Sequence, residues 1–139
     1  NGAAVSYAKR GAIYVQRIGR RARRIAAGSH PTTDGGRRGG VRAIAYQRAG
    51  AVYQTTTGHP ERLISPGTAP SMTAGAAQTM FAHGPFVYMY AIANNYGKRP
   101  PQGFCPQGTV ADIATSARGN YVAFACKRSA IYLAYIGPK

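Results

Sequence analysis

The sequence predicts an all-β fold of four sequential antiparallel units, and three observations carry that prediction. The first is a spacing. Aromatic pairs recur as Tyr7 with Tyr14, Tyr46 with Tyr53, Phe81 with Tyr88 and Phe124 with Tyr132, at separations of seven, seven, seven and eight positions. The second is what stands beside them. The residue before each second Tyr is β-branched (Ile13, Val52, Val87, Ile131), and β-branched and aromatic side chains are those that fit a pleated, half-buried surface. The third is a period: successive first aromatics lie 39, 35 and 43 residues apart.

Each unit then reads as strands separated by turns. In the first, at about residues 1–27, strands are expected at 4–8, 12–18 and 23–27. Lys9-Arg10-Gly11 supplies the hairpin turn between the first two, and Gly19-Arg20-Arg21 the basic turn before the third. No inner strand precedes them. The second unit, 28–65, opens on a Gly/Pro/Ser/Thr stretch to Gly40 that leaves room only for a short or irregular inner strand. Its strands at 42–47 and 51–55 alternate apolar and polar residues, and Thr57-Gly58-His59-Pro60 turns the chain into an outer strand at 61–65. In the third unit, 66–108, the small residues of 66–77 suit a crowded inner strand. The dense apolar run 79–93 is broken by His83-Gly84-Pro85, and 94–102 reads as an insertion. The fourth unit, 109–139, has an inner strand at 109–115, then Tyr121 to Phe124 and Ile131 to Leu133 around the loop Lys127-Arg128-Ser129, and no outer strand. Val5, Ile13, Val122 and Ile131 are expected to face the core.

A period near forty residues built of short strands belongs to β-propeller blades rather than to helical solenoids. Strand counts of three, four, four and three then describe a single domain over 1–139 that is a partial propeller arc, its first unit lacking an inner strand and its last an outer one. The residues also carry a resemblance. Ser116-Ala-Arg-Gly-Asn-Tyr-Val-Ala-Phe124 followed by Ser129-Ala-Ile-Tyr-Leu-Ala-Tyr-Ile136 resembles the TolB-like, WD-repeat-like blade, which runs roughly S-P-D-G-x-x-I-A-F, a loop, then I-Y-x-x-D. The S-P-D-G turn is degraded in every copy. Asp34-Gly35, the one Asp-Gly, is displaced, and the Asp after I-Y is absent. The resemblance implies a scaffold and no particular chemistry.

In a blade of this kind the outer-to-inner connections and the hairpin between the second and third strands share one rim. Cys105, near the end of the third unit's outer strand, and Cys126, ending the fourth unit's second strand, would fall at that rim. The pair fits either a disulfide or two buried thiols; blade geometry favours the bridge, and with it an extracytoplasmic or secreted setting. No signal peptide is visible, and no run reaches the length of a membrane span.

Eighteen Lys and Arg face three acidic residues, for a net charge of +15. Asp34, Glu61 and Asp112 lie in three different units, so no paired-carboxylate site is indicated, and Asp112 reads as a polar residue at the entrance to an inner strand. Neither a G-x-S-x-G elbow nor a phosphate-binding glycine loop occurs. His30, His59 and His83 sit in separate loops, so no metal site, catalytic residue or cofactor is expected, and the chain reads as no enzyme. What remains is binding. Lys9, Arg10, Arg48, Lys127 and Arg128 fall in the hairpin loops of one face, while Arg17, Arg20, Arg21, Lys98 and Arg99 fall towards the other. The first expectation is a non-catalytic interaction scaffold that binds a protein partner or flanking blades at a cell envelope or surface, with self-association as one route. The alternative is direct polyanion binding, to nucleic acid or an anionic envelope polymer, through those basic loops. The ten tyrosines mostly occupy strand positions that the repeat explains, and only Tyr96, in the insertion, is free to stack on a base.

Overall fold

The computed structural model describes residues 4–34, 41–74, 78–91, 101–127 and 130–137. Among these, four antiparallel sheets follow one another along the chain, none closed into a barrel. The first holds β1 (Ala4–Lys9), β2 (Ala12–Arg17) and β3 (Arg23–Ala27). The second holds β4 (Ser29–Thr33), β5 (Ala43–Arg48), β6 (Ala51–Thr56) and β7 (Arg62–Pro66). In the third are β8 (Thr68–Met72), β9 (Gln78–His83), β10 (Phe86–Ala91) and the short β11 (Gly103–Phe104). The fourth has β12 (Val110–Thr115), β13 (Tyr121–Cys126) and β14 (Ile131–Tyr135). Each strand pairs with its neighbour in sequence, so every sheet is a meander with three, four, four and three strands, as expected. Asp112 sits inside β12, at its register shift, rather than at the strand's entrance.

The hairpins explain why the register holds. Arg10-Gly11 and Ala49-Gly50 join their strands with two residues, both at positive φ (50° and 72°; 48° and 73°). That is the signature of a type I′ turn, whose twist matches that of the strands it joins. With register set, all four aromatic pairs become directly opposed partners. Their rings stack at centroid distances of 5.5, 6.1, 5.9 and 5.5 Å. Such offset pairs add to the area they bury.

Because side chains alternate across a strand, each sheet has an aromatic face, bearing the stacked pair, and an aliphatic face, bearing the β-branched residue beside it. The sheets stack by pressing the aromatic face of one on the aliphatic face of the one before. Ile44, Tyr46 and Tyr53 of the second sheet pack with Ile13 of the first. Phe81, Tyr88 and Tyr90 of the third pack with Val52 of the second. Val122, Phe124 and Tyr132 of the fourth pack with Met80, Ala82, Val87 and Met89 of the third. The inner strands β4, β8 and β12 run beside one another. Side chains tie them: Thr32 Oγ1 accepts from Met72 N at 3.3 Å, and Ser71 Oγ from Thr115 N at 3.1 Å.

This serial stacking corrects two expected core positions. Ile13 and Val122 are fully buried, but Val5 is 55% and Ile131 76% exposed. Val5 lies on the aromatic face of the first sheet and Ile131 on the aliphatic face of the last. Neither face meets another sheet among the described residues.

The degraded turn motif also finds its explanation. Ser116 Oγ accepts from Asn120 N at 3.1 Å, fastening the turn before β13. Thr73 Oγ1 does the same for Gln78 N (3.1 Å), and Asp34 Oδ1 for Arg42 N (3.2 Å). Asp34 therefore does at the exit of β4 what Ser116 does at the exit of β12. The exits from β4, β8 and β12 thus share one hydrogen-bonding device in three residue types.

Candidate functional site

The two ends of the stack differ. At one lie the β1–β2, β5–β6 and β9–β10 hairpins, together with the outer-to-inner connections: Gly28 N donates to Gly11 O and Gly67 N to Gly50 O, both at 2.9 Å. Cys105 and Cys126 meet at this same end in a disulfide with Cα atoms 5.7 Å apart, tying the third sheet to the fourth. Lys9, Arg10 and Lys127 are exposed here. Arg48 is not a free cation. Its guanidinium pairs with Glu61, which also accepts from the Tyr46 hydroxyl, and lies 4.0 Å from the Tyr53 ring centroid. Arg128, like Lys98, Arg99 and Tyr96, lies outside the described residues.

At the opposite end, the β2–β3 and β6–β7 turns bring the first two sheets together around an open cleft of about 560 Å³. Its rim carries Arg17 and Arg23 from the ends of β2 and β3, Arg20 and Arg21 from the turn between them, Arg42 just before β5, and His59. Val15, Ile25, Val41 and Ile44 form an apolar floor, and Thr55, Thr56 and Thr57 supply hydroxyls. No carboxylate is among its lining residues. The chain's three acids are used elsewhere: Glu61 on Arg48, Asp112 on the N–H of Ile113 at 2.9 Å, and Asp34, buried, on the backbone of Arg42.

Of the basic residues singled out from the sequence, the structure gathers Arg20 and Arg21 into one site with Arg17. It leaves Lys9 and Arg10 on one hairpin and Lys127 on another, at the far end. Sequence reading missed Arg23 and Arg42, which it had placed simply within strands. One signal could have found them. Gly19 and Gly58 each fall five residues after the second Tyr of their unit, so the turns they occupy must stand side by side once the sheets stack.

Among the described residues no group of three His, Cys, Asp or Glu could hold a metal ion. No helix there is long and apolar enough to cross a membrane.

No protein-family model and no curated protein matches the chain. Among solved structures it is similar to a structural genomics protein of unknown function from Bacteroides thetaiotaomicron. The TM-score is 0.51 at 13% identity, over 88% of this chain and 40% of that one. The likeness bears on fold alone, and the chain spans well under half the length of that neighbour.

Proposed function

We propose that the chain is a non-catalytic interaction scaffold, an arc of propeller-like blades whose exposed end face docks a protein sheet of similar build. One observation carries the reading. Ile13, Val52 and Val87 occupy the same repeat position and are each 0% exposed beneath the next sheet, whereas Ile131, in that position of the fourth unit, is 76% exposed. Leu133, two residues on, is 70% exposed where its equivalent Met89 is buried. The face is completed by Tyr121 and Tyr135, whose rings meet edge to face at 5.2 Å.

A complementary surface exists within the same chain. The first sheet's aromatic face, with the Tyr7–Tyr14 stack and Val5, is built like the faces that cover Ile13, Val52 and Val87. Head-to-tail docking of a second copy, or of further blades, would repeat the internal contact as a heterologous interface. Burying Ile131 and Leu133 there would contribute roughly 1.5–3 kcal/mol each. The disulfide agrees with an extracytoplasmic setting for such a scaffold.

Sedimentation tests this reading. The wild-type chain should self-associate with rising concentration, and Ile131→Asp with Leu133→Asp should abolish association while leaving the folded monomer intact, since both side chains are solvent-exposed in it. Identical sedimentation of the two proteins, in the presence and absence of a fragment bearing additional blades, would refute the docking face.

A further inference from the structure

The arginine cleft between the first two sheets has no part in that docking, and its chemistry is specific enough to read on its own. Arg17, Arg20, Arg21, Arg23 and Arg42 surround a space of about 560 Å³, within the range of small-molecule sites. We propose that this cleft binds a compact oligophosphate anion, one carrying several closely spaced phosphoryl groups.

Three features argue for that class. Guanidinium groups are planar forks that grip phosphoryl oxygens in pairs, and five of them around one cavity call for several negative charges on one ligand. The hydroxyls of Thr55 and Thr56 can donate to the same oxygens, while that of Thr57 is spent on Arg42 O at 3.3 Å. Among the described residues the lining holds no aromatic ring apart from the His59 imidazole, so bases would find no stacking platform there and a nucleic acid would gain little beyond its phosphates.

The rim is also held in place before any ligand arrives. Arg20 N donates to Arg17 O at 3.0 Å, closing the turn that follows Arg17 and carries Arg20 and Arg21. Gln16 Nε2 reaches Arg20 O at 3.4 Å. Across the cleft, Thr57 N donates to Arg42 O at 2.7 Å and His59 N to Thr56 O at 2.9 Å. Both walls are therefore fixed by backbone bonds, and only the guanidinium ends need to order on binding. Five like charges around one cavity repel each other, so an anion that bridges them should also stabilise the folded chain.

Calorimetric titration of the intact chain with sodium tripolyphosphate provides the test. Saturable one-to-one binding is expected, at least tenfold tighter than orthophosphate at equal ionic strength, with a rise in melting temperature. Arg20→Gln with Arg21→Gln should weaken it at least tenfold, while Lys9→Gln with Arg10→Gln, at the far end, should stay within twofold. If the first variant fails to fold, Arg17→Gln with Arg23→Gln serves in its place. Absence of saturable binding, equal loss in the cleft and far-end variants, or tighter binding of a single-stranded oligonucleotide of equal charge would each overturn the proposal.

Discussion

Gly67→Ala should destabilise the chain by about 4 kcal/mol, a large loss against a margin of about 5–15 kcal/mol. Gly67 links β7 to β8 at φ 154°, a conformation that residues with a Cβ rarely adopt. An added Cβ would stand 2.5 Å from Ala82 O and 2.8 Å from Phe81 Cδ2. Neither neighbour can give way. The carbonyl belongs to β9, and Phe81 is the fully buried aromatic that packs against Val52 of the preceding sheet. Gly28 repeats the arrangement one unit earlier, at φ 148° against Gln47 O and Tyr46. Gly50→Ala is the matched control. Its φ is 73° but nothing lies within 4 Å of the added atom, so only the left-handed backbone penalty of about 1–2 kcal/mol should appear. Denaturant titration of both variants separates the two terms. Equal losses would mean that the close approach of the outer-to-inner crossing to the aromatic below it does not stabilise the fold.

Removing the disulfide should have the next largest effect. Cys105 and Cys126 enclose a 21-residue separation, and loop-closure entropy on that scale amounts to about 3 kcal/mol. The chain's architecture makes the bond matter locally as well. Among the described residues the fourth sheet is covered on its aromatic face only, so it rests there on one interface and this covalent tie. Cys105→Ala with Cys126→Ala, or reduction of the wild type, should lower the denaturation midpoint by the corresponding amount and loosen β13 and β14 before the second and third sheets. Uniform loss of stability across all four sheets would show instead that the chain unfolds as one unit.

Much of this fold was legible because it repeats. Four aromatic pairs at nearly constant spacing located the hairpins, the strand counts and the rim where the cysteines meet. Those are consequences of two-residue turns and alternating side chains, which act over short distances in sequence. The errors arose where a longer-range neighbour decides. Ile131 has the residue type and repeat position of Ile13, Val52 and Val87, and nothing in its own unit says that no sheet covers it. Asp34 is a related case: its role is defined by the N–H of Arg42 that it accepts from, which the glycine beside it does not foretell. The cleft was half visible. Arg17, Arg20 and Arg21 were placed at the correct end, but Arg23 and Arg42 join them only because the second sheet stacks on the first. Arg48 looked like an equal member of the basic surface, yet its partner Glu61 comes from just before β7, across β6.

Serial stacking sets aromatic face on aliphatic face and, among the described residues, leaves the last aliphatic face uncovered. Hydrogen exchange of the backbone, followed from dilute to concentrated protein, tests it most directly. In repeat architectures stability is transmitted between neighbours, so a sheet with one interface should open more readily than a sheet with two. At low concentration the amides of β14 should therefore exchange at least tenfold faster than those of β9 and β10, and their protection should rise as concentration increases. Protection of β14 equal to that of β9 in dilute, monomeric protein would contradict the open face and the scaffold built on it.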